Sequence, residues 1–498
     1  MTTLPLDILC AIVKSAARIE DDSLAGWANA LKYLAINHDI RVDAARHIYN
    51  RAIIQCTLPP GATFAAYSNI TLIEQNGFLN TSKQLIINDD TQGFRADLVH
   101  LIAKALPATF DALSYTSAIE EIAEDEETRV SVNEDQYDNG YESAESVAQI
   151  VARQLPNISS LTICSTSPHP ITLAFTNALM ELYGRQLTSL SGVMRANFSK
   201  PIYADKLDTI SLFLLKELGD TYFDGFQPNF MPQSLKVVSL AFDMPHSWDM
   251  FIRNNDSNTL VFENLKSLQF LGDRFSEYEL EDGSIDPIER VWPKLVVPQL
   301  EILVLFEIPI PADVAESFMS APLKELTYKG RSDYAHMLCQ HSTSNLSELV
   351  LAFDMYIESN VETFYHKTNA IFRNISKIPI VRCTVSDLSL KIDWSLVDWS
   401  YLTHLYIQNL SDLDKILGAI PAMPYLEFAS LIVDINYSTD LTLFVTMLNG
   451  LKQRYSKPSS SKIETLLVSL LGIDDELDSA LDELKWYFPK LEHIGKVE

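Results

Sequence analysis

The chain has 498 residues, 47% of them hydrophobic, and a formal net charge of −28. That apolar content excludes general disorder. The charge, with no Lys/Arg cluster against it, disfavours nucleic acid and anionic membrane surfaces as partners. Five scattered cysteines (Cys10, Cys56, Cys164, Cys339 and Cys383) include no CxxC pair. They are not a disulfide framework and suit a reducing compartment. No basic region leads into an apolar run at the start, and runs such as LEILVLFEI (300–308) fall well short of a membrane helix. Neither a signal peptide nor a membrane span is expected, and the expected location is cytoplasmic or nuclear. Triplets such as Asn69-Ile70-Thr71 then carry no weight as glycosylation sites.

Residues 4–18, LPLDILCAIVKSAAR, predict a first helix. Pro5 suits the opening turn and Asp7 the positive helix N-terminus. Leu4, Ile8, Leu9 and Ile12 fall on one side, while Leu6 and Val13 lie elsewhere. A short helix apolar on two sides needs two neighbours. LAGWANALKYLAINH (24–38) and DIRVDAARHIYNRAII (39–54) are the next predicted helices. Together they form a helical domain over 1–55.

QLIIN (84–88) reads as a strand and ADLVHLIAKAL (96–106) as its return helix. Residues 119–146 hold eleven acids and one basic residue, Arg129. Repulsion at that density predicts a disordered, solvated insertion.

From about residue 155 one pattern recurs: apolar, two residues, apolar, one residue, apolar. Copies are ISSLTI (158–163), LDTISL (207–212), LKVVSL (235–240), LKSLQF (265–270), LEILVL (300–305), LKELTY (323–328), LSELVL (346–351), LTHLYI (402–407), FASLIV (428–433) and IETLLV (463–468). LTSL (187–190) and LEHI (491–494) are partial copies. SLKVVSLAFDM (234–244) and NLSELVLAFDM (345–355) also share the ending LAFDM. Each copy predicts a strand whose fourth and sixth residues share a face. Helices are predicted between copies, most clearly in PADVAESFMSAP (311–322), and also in DLDKILGAI (412–420) and TLFVTMLNGLKQRY (442–455). Strand plus helix at this period resembles a leucine-rich-repeat solenoid, an α/β fold of the ribonuclease-inhibitor type. Buried strands of a doubly wound domain are the other source of such matches. Repeat lengths are uneven, notably between 351 and 402. The Asn or Cys of the repeat consensus is absent, with Asp243 and Asp354 near its place. The expectation is therefore an irregular solenoid over 56–498.

The first helix resembles an F-box, which opens Leu-Pro-x-[Asp/Glu]-[Ile/Leu]-Leu-x-x-Ile. Leu4, Pro5, Asp7, Ile8, Leu9 and Ile12 fit in register. The later family element is matched by Leu34 to Arg41 and Ile48-Tyr49-Asn50-Arg51, with Ile40 where the family has Trp. The whole is similar to fungal F-box proteins with divergent leucine-rich repeats. The resemblance implies a substrate receptor of a cullin ubiquitin ligase. Its F-box would bind a Skp-family adaptor through Leu4, Pro5, Ile8, Leu9 and Ile12, and its repeats would bind a protein substrate whose identity and binding residues stay open. The alternative is a repeat scaffold whose first helices only cap the solenoid.

No phosphate loop, GxGxxG, HExxH or GxSxG is present. His336, Cys339 and His341 in HMLCQH lack the paired spacing of a zinc site. LEDGSIDPIE (280–289) lacks the alternating carboxylates of a calcium loop. No catalytic residue, metal or cofactor is assigned, and the chain is not expected to be an enzyme.

Overall fold

In the computed structural model, the residues described are 45–57, 65–89, 134–165, 170–195, 202–215, 228–242, 259–272, 277–279, 285–287, 293–308, 310–330, 332–340, 345–353, 381–386, 400–408, 423–432, 465–469, 485–491 and 493–497, with a few isolated positions. The chain divides into two compact units, Met1–Leu260 and Val261–Glu498. Both are mixed α/β, each with a mostly parallel sheet.

The first unit's sheet contains β1 (Arg51–Thr57), β2 (Ala65–Ser68), β3 (Gln84–Asp89), β4 (Ser160–Cys164), β5 (Ser189–Arg195), β6 (Thr209–Leu215) and β7 (Val237–Phe242). Their order is β2-β1-β3-β4-β5-β6-β7. Only the β2–β1 pairing is antiparallel. In the second unit β8 (Ser267–Gly272), β9 (Ile302–Phe306), β10 (Glu325–Gly330), β11 (Glu348–Phe353), β12 (Arg382–Ser386), β13 (His404–Gln408), β14 (Phe428–Ile432), β15 (Thr465–Ser469) and β16 (His493–Val497) run parallel in chain order.

The sequence pattern fixes the register. The fourth residue of each copy pairs with the fourth of the next: Leu85, Leu161, Leu190, Ile210 and Val238 in the first unit. In the second unit Leu268, Leu303, Leu326, Leu349, Cys383, Leu405, Ala429, Leu466 and Ile494 continue in this way. Those from Leu85 to Ala429 are buried throughout. Alternation places the flanking residues on the opposite face, as the alternating burial of β4, β9 and β10 records. Each buried Leu or Ile contributes about 1.5–3 kcal/mol, so the repeated apolar position, rather than any single strand, holds the sheet.

Helices described are α1 (Ile70–Gln75), α2 (Glu134–Gln154), α3 (Pro170–Tyr183), α4 (Ala312–Met319) and α5 (Ser332–Gln340). α4 matches the expected helix, with Pro311 at its N-cap and Val314, Ala315, Phe318 and Met319 buried. α2 packs on α3, and α4 on α5. No described helix is long and apolar enough to cross a membrane.

Several expectations change. Of the helix expected over 39–54, residues 45–48 are helical, Arg51–Thr57 is a strand, and 39–44 lie outside the described residues. Ala52, Ile53 and Ile54 are completely buried there, and two successive β-branched residues favour that extended ladder. The sheet therefore begins inside the segment assigned to the helical domain. The insertion expected over 119–146 is helical from Glu134. Ala144, Val147, Ala148 and Val151 form a buried stripe that extends the helix back into acidic sequence. Residues 285–287, within the stretch read as a solvated loop, pair antiparallel with Glu277–Glu279. FASLIV is out of frame by two: Leu426, Ala429 and Leu431 occupy the repeat positions. An unrecognised copy supplies β12, with Cys383 at the buried position. The helices expected at 96–106, 412–420 and 442–455 lie outside the described residues, apart from single helical positions at 102 and 446 and another at 453.

Candidate functional site

Repeated backbone bonds position the exposed face of the second unit. Two residues before each strand's fully buried residue, a carbonyl accepts from two successive N–H groups of the next copy. Lys324 O takes Ser347 N and Glu348 N (2.9 and 3.0 Å), and Ser347 O takes Val381 N and Arg382 N (2.8 and 3.1 Å). Val381 O takes Thr403 N and His404 N (2.9 and 3.2 Å), and Thr403 O takes Glu427 N and Phe428 N (3.0 and 3.1 Å). Hydroxyls reinforce the row: Ser347 Oγ donates to Lys324 O and Thr403 Oγ1 to Val381 O, each at 3.2 Å. These contacts satisfy backbone groups at the strand starts.

The face so fixed carries Glu325, Glu348, Arg382, His404 and Phe428 in one row across β10–β14. The next row outward from the buried column is Thr327, Val350, Thr384, Tyr406 and Ser430. His404 stacks on Phe428 at a centroid distance of 5.9 Å, and Tyr406 meets the same ring at 5.1 Å. Thr403 Oγ1, 2.8 Å from His404 Nδ1, holds the imidazole in place. Apart from Val296, the exposed large apolar side chains described in this unit are Val381, Tyr401, Tyr406 and Tyr425. They fall in three successive copies. Tyr401 and Tyr425 are 56% and 53% exposed and each directly precedes a buried leucine, Leu402 or Leu426. Arg382 is exposed, and among the described residues no carboxylate pairs with its guanidinium, although Glu348 is its register neighbour. Clustered apolar exposure of this kind marks interaction surfaces, and Tyr and Arg are the residue types that carry them.

The first unit's equivalent face differs. Its rows are Gln84, Ser160, Ser189, Thr209, Val237 and Ile86, Thr162, Ser191, Ser211, Ser239, with a 2.8 Å hydroxyl contact between Thr162 and Ser191. Short hydroxyl side chains dominate these rows, and the large exposed side chain on this face of β6 is Phe213, two residues beyond Ser211.

The sequence-predicted site residues Leu4, Pro5, Ile8, Leu9 and Ile12 lie outside the described residues, as does His341. Cys339 is buried in α5, where burial pushes its thiol up to about 12. A protonated, enclosed thiol is a poor metal ligand. Its neighbour His336 contacts Gln340 Nε2 at 3.2 Å through Nδ1. Among the described residues no cluster of His, Cys, Asp or Glu is arranged to hold a metal.

No family model matches the chain. A search of curated proteins also finds no match.

The aromatic patch was not found by reading the sequence, because its members are separated by about one repeat. Only the register joins them. The signal was present in the alternate positions of LTHLYI and in the corrected frame LEFASL.

Proposed function

We propose that the chain is a substrate receptor of a cullin-type ubiquitin ligase. In this reading the first residues form an F-box-like helical bundle, and Leu4, Pro5, Ile8, Leu9 and Ile12 engage a Skp-family adaptor. The remainder is an irregular leucine-rich-repeat solenoid that holds a protein substrate in the cytosol or nucleus. The chain carries no catalysis of its own and uses no cofactor. The observation that carries the repeat half is the pairing of one parallel strand per sequence copy, in chain order and in a single register within each unit. In this reading β1, which starts at Arg51, belongs to the repeats.

The alternative, a repeat scaffold whose first helices are only a cap, is less well supported. The outer edge of β1 is already occupied by the antiparallel β2. Asn69, just after β2, ties that edge down: its Oδ1 accepts from Ile53 N at 2.8 Å and its Nδ2 donates to Arg51 O at 2.9 Å. Since β2 already covers that edge of β1, in this reading the helix predicted over residues 4–18 serves another partner. Mixing the purified chain with a Skp-family adaptor tests the proposal. Stoichiometric capture that Leu9→Asp abolishes supports it, and absence of capture by the folded wild type refutes it.

A further inference from the structure

We infer that the patch spanning β12–β14 docks a linear segment of a partner protein that presents a carboxylate side chain beside apolar side chains. The inference rests on the reading of the repeats as the substrate-holding part, and it specifies the chemistry they select. Two features of the patch define the occupant. Phe428, with His404 and Tyr406 packed against it and Tyr401 and Tyr425 exposed in the same two copies, is a platform for apolar side chains. Beside it, Arg382 is in register with His404 and holds no carboxylate among the described residues. A guanidinium is a planar fork that binds a carboxylate through two parallel bonds.

Charge decides between partners. The chain as a whole is acidic, but exposed charges further away than about 8 Å are largely screened at physiological salt. The charge in the platform's own row therefore sets the preference: that row's cation is Arg382, while the exposed Glu427, just before Phe428, lies outside the row. Glu348 and Glu325 continue the same row away from the platform. An acidic residue set on Arg382 thus fixes the direction in which a segment lies. The strands of the patch are hydrogen-bonded on both edges, so recognition comes from side chains and not from an added strand.

The test is selection of random peptides of roughly 12 residues, displayed on phage, against the full chain without any adaptor, followed by titration of the enriched peptides. The expected peptides carry Asp or Glu close to Phe, Tyr, Trp or Leu. They bind Arg382→Ala and Tyr406→Ala at least about tenfold more weakly, while both variants keep the wild-type thermal transition. Replacing the peptide acid by Lys should abolish binding to wild type and restore it to Arg382→Glu. Failure to enrich peptides, enrichment of peptides without an acid, or equal binding by the Arg382→Ala chain overturns the inference. Leu9→Asp should bind these peptides normally. Loss of the adaptor reading and loss of this docking site are therefore separate outcomes.

Discussion

His404 and Phe428 are register partners on neighbouring strands, and their rings stack with centroids 5.9 Å apart on the exposed face of the sheet. The same Phe428 ring also meets Tyr406 at 5.1 Å. Phe428→Ala removes both contacts. It should cost about 1–2 kcal/mol of folding stability, measured as a shift in the urea midpoint. Tyr401→Ala, at a highly exposed position, should shift it by less than about 0.5 kcal/mol.

The buried column sets a larger scale. Leu349 is fully buried between Leu326 and Cys383. Leu349→Ala should cost about 2–5 kcal/mol. Glu348→Gln, one residue earlier on the opposite face, should stay within about 0.5 kcal/mol. Equal effects at the two positions would contradict the alternation of faces.

Gly192 has φ of 132°, and a Cβ there would come 1.8 Å from the carbonyl oxygen of Ile163. The colliding atom is backbone of the paired strand β4, so no rotamer relieves it. Gly192→Ala should destabilise the chain by at least about 2 kcal/mol. Hydrogen exchange should show β4 and β5 opening first.

Asn69 is buried, and both ends of its amide bind β1. Asn69→Ala leaves the Ile53 N–H without this acceptor and should cost about 2–3 kcal/mol. Mass spectrometry of chain expressed through a secretory pathway should find Asn69 unmodified despite its triplet.

Burial pushes the thiols of Cys339 and Cys383 from the usual 9.0 up to about 12. The unfolded chain loses these protons first, so between about pH 9 and about pH 12 it binds fewer protons than the folded chain. Stability from this source is complete below pH 9 and falls as pH rises through that window. Cys383→Ala should flatten the alkaline decline in the urea midpoint. In the native state iodoacetamide should label the half-buried Cys164 well before either buried thiol.

The strands were legible because a repeated apolar spacing over many copies outweighs local ambiguity. The errors occurred where the buried position is small or polarisable. Cys383 hid a whole copy, and Ala429 made Phe428 look like a core residue when it faces outward. At the first strand, Ile48 and Tyr49 continued a helical spacing into Ala52-Ile53-Ile54, and pairing with β3 overrode it. The acidic run concealed a helix because its stripe of Ala144, Val147, Ala148 and Val151 lies mostly beyond the run's end. The patch could not be read without the register, since no local spacing joins Arg382, His404 and Phe428.

The central claim, that the first residues serve a partner rather than cap the repeats, is tested most directly by titrating a Skp-family adaptor into three folded proteins: wild type, Leu9→Asp, and a chain lacking residues 1–43. The cut falls before the buried Ala45 and Ile48, so that β1 keeps its lead-in. The account predicts one adaptor bound per wild-type chain, none by the other two, and a thermal transition close to wild type in all three. Absence of adaptor binding by wild type, together with a large loss of stability in the shortened chain, would contradict it and make the first helix a cap.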